Sequence, residues 1–108
     1  MRHVVLHRED VEFWKDNPTA TSGLRAKATE AHRVIQDLLA KVPDVIRLDR
    51  HHRVMREVGD AAASSLNDLK PGEEVMLYGA YHGMGLSQLY DSFIIRGMKP
   101  CYNERGFI

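Results

Sequence analysis

The run EVMLYGA (Glu74 to Ala80) is apolar nearly throughout. Gly79, Gly83 and Gly85 follow within seven residues, and a helical pattern then begins at Leu86. An unbroken apolar run of this length reads as a buried strand. Glycines permit the positive φ of a tight connection. This passage therefore commits the chain to a strand, a loop and a helix in succession. The helical pattern places Leu86, Leu89, Tyr90, Phe93 and Ile94 inward and ends at Gly97, where a C-terminal cap is expected. A further extended segment at 100–107 completes a C-terminal βαβ-like unit, with a right-handed crossover expected.

Upstream, HVVLH (3–7) is rich in β-branched residues and reads as a short strand. REDVEFWKDNP reads as a single helical turn or a loop. TATSG supplies capping residues for a clear helix at 24–42, whose apolar face is Leu24, Ala28, Ala31, Ile35, Leu38 and Val42. Pro43 breaks it. A second helix is expected at 49–69, with Met55, Val58, Ala62, Leu66 and Leu69 inward. Gly59 disfavours it by about 1 kcal/mol relative to alanine. The expected fold is thus α/β: a small three-stranded sheet (strands near 3–7, 74–80 and 100–107), a helical hairpin (24–42, 49–69) and the terminal βαβ-like unit. Its 108 residues make a single domain, 1–108.

Fifteen basic residues balance fifteen acidic ones. This argues against a nucleic-acid coat or a membrane-attracted surface. The sole cysteine, Cys101, has no partner for an internal disulfide, and a reducing cytoplasm is the natural location. MRHVVLHRED meets charge after a very short apolar run, so no signal peptide is expected. No apolar stretch approaches the ~20 residues of a membrane span.

Two features suggest a ligand. Where a strand enters a helix, the first helical N–H groups lack internal partners and the dipole is positive. Glycines there let the backbone approach a phosphate or carboxylate. Gly79, Gly83 and Gly85 occupy such a place, with Ser87 at the helix start and His82 as a further donor. The spacing matches neither a dinucleotide fingerprint nor a P-loop, and glycines also serve simple tight turns. The second feature is RLDRHHRVMRE (47–57). Arg50, Arg53 and Arg56, with His52 beside them, crowd the start of the expected second helix. That opposes its dipole by ~0.3–1 kcal/mol per charge. An anionic partner would justify the arrangement. Ordinary i,i+4 pairs, Asp49–Arg53 and Arg53–Glu57, are the structural alternative.

The segment VMLYGAYHGMGLSQLYDSFIIRGMKP is similar in outline to the late strand–loop–helix–strand of isochorismatase-like hydrolases, where a glycine ends the strand and an Arg-Gly pair ends the helix. The resemblance covers about a quarter of the chain. That family's nucleophilic cysteine would fall at Gly85, the chain is short for its sheet, and no early catalytic aspartate pattern occurs. The resemblance implies a shared local structure.

Six histidines raise the question of a metal. His3 and His7 share a strand face but lie ~13 Å apart. No HxxxH on an expected helix and no cysteine pair occurs, so no metal site and no cofactor are expected. Cys101 could be a nucleophile with His82 as base, and Tyr78 or Glu104 could assist. A small buried hydrophobe is the plainer role for Cys101. Tyr78, Tyr81, Met84 and Tyr90 gather near the glycine loop, a composition suited to interfaces, and a homo-oligomer is expected.

Three functions follow. The leading one is a cytosolic protein that binds an anionic, phosphate-bearing or nucleotide-like ligand through Gly79, His82, Gly83, Gly85, Ser87, Arg50, His52, Arg53 and Arg56. The second is an assembly subunit, of the kind of a small phage or bacterial accessory protein, that meets an acidic protein surface. The third is a small hydrolase- or lyase-type enzyme using His82 with Cys101, Glu104 or Tyr78. No membrane partner is expected, and the charge balance disfavours nucleic acid.

Overall fold

A computed structural model of the chain describes residues 1–48, 69–83 and 85–108. In order they form β1 (Arg2–Leu6), α1 (Arg8–Asp16), α2 (Ser22–Lys41), β2 (Ile46–Leu48), β3 (Glu74–Gly79), α3 (Gly85–Ile95) and β4 (Lys99–Phe107). The four strands make one parallel sheet in the order β2-β1-β3-β4.

This corrects the expected three-stranded sheet. Ile46–Leu48 is a fourth strand, three residues long, with Ile46 and Leu48 buried and Arg47 exposed. Residues 8–16 form a full helix where a turn or loop was expected. The expected second helix of the hairpin, 49–69, lies outside the described residues except for Leu69, which is buried. The helix packed beside α2 is α1 instead.

Both faces of the sheet are covered, as parallel strands require. Strand alternation sorts the side chains. Val4, Leu6, Ile46, Leu48, Val75 and Leu77 point to one face, where they meet Leu86, Leu89 and Phe93 of α3 and Leu69. Val5 and Tyr78 point to the other, against Val11 of α1 and Ala28, Ala31 and Ile35 of α2. Burying a side chain the size of Phe93 contributes ~1.5–3 kcal/mol. Alanines at 28 and 31 bring α2 close to the sheet.

The helix ends follow local chemistry. Glu9 and Asp10 in the first turn of α1 and Lys15 in the last complement its dipole. Thr21 caps α2, its hydroxyl accepting from the Leu24 N–H at 3.1 Å. Gly97 follows α3 with φ +87°, as a C-terminal cap needs. Ile94 was expected to face inward but is 53% exposed. The buried stripe of α3 is Leu86, Leu89 and Phe93, and Ile94 lies about 100° around the helix from Phe93. Among the described residues, no helix is long and apolar enough to cross a membrane.

Candidate functional site at the carboxyl edge of the sheet

The chain runs from β1 outward to β2, then returns to place β3 and β4 on the other side of β1. The strand order therefore reverses between β1 and β3. In open parallel sheets a crevice forms at that reversal, outside the carboxyl ends of the strands. Two strand exits border that reversal here. One is His7, after Leu6, and the other is the glycine loop after Gly79. They adjoin because Leu6 is paired with Gly79 and the Ala80 N–H donates to the Leu6 carbonyl at 2.9 Å. The third exit at this edge is that of β2, where the His7 N–H donates to the Leu48 carbonyl at 2.8 Å.

The three glycines have different roles. Gly79 has φ +121°, and a Cβ built there would lie 1.7 Å from the Leu6 carbonyl oxygen. No side chain fits between β3 and β1 at that point. Gly85 is tight as well: its Cβ would meet Leu6 Cδ2 at 3.1 Å and the Ala80 carbonyl oxygen at 3.2 Å. Both are therefore accounted for by packing. Gly83 is exposed and a Cβ there would meet nothing within 4 Å. It alone of the three leaves backbone open to a visitor.

Part of the loop's hydrogen-bonding capacity is already used. The His82 N–H donates to the Ile108 carbonyl at 2.6 Å and the Leu86 N–H to the Tyr81 carbonyl at 3.0 Å. The Ser87 hydroxyl donates to the Gly83 carbonyl at 3.0 Å, which tightens the first turn of α3. The Trp14 indole N–H donates to the Tyr81 hydroxyl at 2.8 Å, tying α1 to the loop.

The remaining sequence candidates separate. The His82 ring is edge-on to Tyr102 (centroids 5.2 Å apart) and to Phe107 (6.4 Å), rings that pack on the α3 side of the sheet. Cys101 is opposite Met76, and its Sγ lies 3.7 Å from Met76 Sδ, a side chain of the α2-side core. The two candidates for a nucleophile and base thus occupy opposite faces of the sheet. Tyr78 is buried and its hydroxyl is hydrogen-bonded to His3 Nδ1 at 2.9 Å. Burial pushes its phenol above the ordinary value, with Cys101 adding to the effect. Glu104 is exposed in an irregular part of β4, where the stretch Leu77 to Gly79 of β3 stands against the longer stretch Tyr102 to Phe107. Asn103 Oδ1 closes this bulge by accepting from the Gly106 N–H at 2.9 Å. Arg50, His52, Arg53 and Arg56 lie outside the described residues.

Comparison with protein-family models, with curated proteins and with solved structures finds no match.

One group at this edge was not singled out in the sequence. His7, Glu9 and Asp10 bring a ring nitrogen and two carboxylate oxygens within 4.8 Å of one another. Asp10 is 4% exposed, the one charged side chain buried among the described residues. The sequence signal was three ligand-type residues within four positions directly after a strand. Long-range spacings of histidine and cysteine do not detect it.

Proposed function

We propose that this chain binds a small anionic ligand in the crevice between the β1 and β3 exits. The observation that carries this is the strand order β2-β1-β3-β4, whose reversal falls between those two strands. Ligands of open parallel sheets sit at such a point. Exposed Gly83 and the start of α3 offer backbone N–H groups there, and His82, also exposed, offers an imidazole. The ligand class is phosphate-bearing or nucleotide-like. The packing roles of Gly79 and Gly85 leave Gly83 as the position at which to block it.

The test is thermal unfolding with and without nucleotides, inorganic phosphate and sulfate, on the wild type, Gly83→Val and an Arg50→Ala/Arg53→Ala double variant. A ligand at 100 times its dissociation constant adds ~2.7 kcal/mol of stability. A gain with one compound that Gly83→Val removes supports the reading, and loss in the arginine variant assigns those side chains to the same site. No gain with any compound overturns it.

A second reading, self-assembly, is favoured by one observation. Ile94 and Ile95 at the end of α3 are 53% and 84% exposed. Exposed aliphatic side chains side by side suit a contact between copies. Sedimentation of the wild type against Ile95→Lys separates the two: a shift from dimer to monomer would establish assembly through α3.

A further inference from the structure

We propose that His7, Glu9 and Asp10 bind a first-row divalent cation of the manganese, iron or zinc kind. The proposal deepens the crevice reading and rests on it for the role of the ion, which would bridge the protein to an anionic ligand.

The donor set comes first. One imidazole and two carboxylates suit borderline cations that accept nitrogen and oxygen together. Ligand atoms on one such ion lie ~2.0–2.2 Å from it. Two of them are therefore at most about 4.4 Å apart, reached when they are opposite. The three donors lie within 4.8 Å of one another, so any excess over that limit is at most a fraction of an ångström, within the reach of small side-chain rotations.

Carboxylates in the first turn of α1 have an ordinary purpose, since they offset the helix dipole. That purpose does not account for the histidine. His7 Nδ1 is closed off from solvent and has no hydrogen-bond partner among the described residues. A buried polar atom left unsatisfied costs ~1–3 kcal/mol. The other histidine of this strand, His3, is hydrogen-bonded to Tyr78. A cation held through Nδ1 would give that atom the partner it lacks. Glu9 and Asp10 have interactions of their own in the fold. An ionised carboxylate has about four acceptor positions, so these do not exhaust it.

The place supports the ion's role. The group stands at the exit of β1, beside the glycine loop, where the strand order reverses. Two of its three side chains are carboxylates, which alone would repel a phosphate. A divalent ion reverses that local charge and can take a phosphate oxygen in an open position.

The experiment uses the full chain, treated with chelator and then titrated with Mn²⁺ alone and Zn²⁺ alone by calorimetry. The variants are Glu9→Gln, His7→Asn, Asp10→Asn and, as a control, His51→Asn/His52→Asn. Asn tolerates a positive φ, so His7→Asn keeps the backbone of that site. Asp10→Asn alters a buried group, so Glu9→Gln and His7→Asn decide the matter if it fails to fold. One ion per chain, with affinity lowered at least roughly tenfold in Glu9→Gln and His7→Asn and retained in the control, supports the site. No binding, binding unaffected by those variants, or binding lost only in the control overturns it. Phosphate compounds that stabilise the chelator-treated chain as fully as the metal-loaded chain would overturn the bridging ion and keep the crevice. An ion lost in Glu9→Gln, with no phosphate compound stabilising either form, would keep the metal and overturn the anionic ligand.

Discussion

The exits of β1 and β3 lie side by side and take similar turns with opposite chemistry. Both begin with a residue of positive φ, His7 at +52° and Gly79 at +121°. At Gly79 the choice is steric, because the Leu6 backbone occupies the space a side chain would need. At His7 the backbone would favour glycine; other residues are uncommon in that region, histidine less so than most. The strain is of order 1–3 kcal/mol. The β3 exit is therefore built for close packing. The β1 exit keeps a side chain with chemistry at a position where geometry alone would not select it.

The comparison can be broken most severely at Gly79. Gly79→Ala should cost more than about 3 kcal/mol, a large part of a small domain's stability. Circular dichroism should show a melt that is far lower or no longer cooperative, and a wild-type melt would refute the close approach of β3 to β1. Gly85→Ala should be milder, ~1–3 kcal/mol, since the atoms it meets are at 3.1 and 3.2 Å. A denaturant midpoint measures it. His7→Gly sharpens the other side. It relieves the left-handed backbone, so stability should change by no more than about 1 kcal/mol in either direction, while the cation affinity argued above disappears. A loss as large as that of Gly79→Ala would make His7 structural. Gly83→Ala should leave stability within about 0.5 kcal/mol by the same midpoint, because the added methyl meets nothing.

The smallest effect concerns His3, at the opposite end of β1. Burial, chiefly, and then the N-terminal ammonium hold its pKa below the ordinary 6.5, against an opposing pull from Asp44. The unfolded chain therefore takes up the proton first as pH falls. His3's contribution is fully present above about 6.5 and is lost below it, down through the lowered folded value. Denaturant midpoints from about pH 7.5 to about pH 5 should fall more steeply for the wild type than for His3→Gln. Parallel curves would remove His3 as the cause.

Strong local periods were legible in the sequence. The apolar run at 74–80 gave β3 almost to the residue, and the three-and-four spacing of Ala28, Ala31 and Ile35 gave α2. Short elements were not. Ile46–Leu48 is too brief to show alternation, and its place in the sheet comes from pairing with Val4 to Leu6, some forty residues away. In α1 the apolar residues are Val11, Phe13 and Trp14 among charges, a weak pattern that reads as a turn or loop. The glycine loop was visible as a site, yet which glycines serve packing depended on the distance to Leu6, which no local pattern contains. His7, Glu9 and Asp10 were visible as letters. Their convergence depends on the turn of chain that joins β1 to α1.

The bond between the Trp14 indole and the Tyr81 hydroxyl has a practical consequence. Trp14 is the single tryptophan of the chain, and it is tethered to the glycine loop at 2.8 Å. The molecule thus carries its own optical reporter beside the glycine loop. An occupant that displaces Tyr81 would change the emission of one fluorophore, with no other indole to dilute the signal.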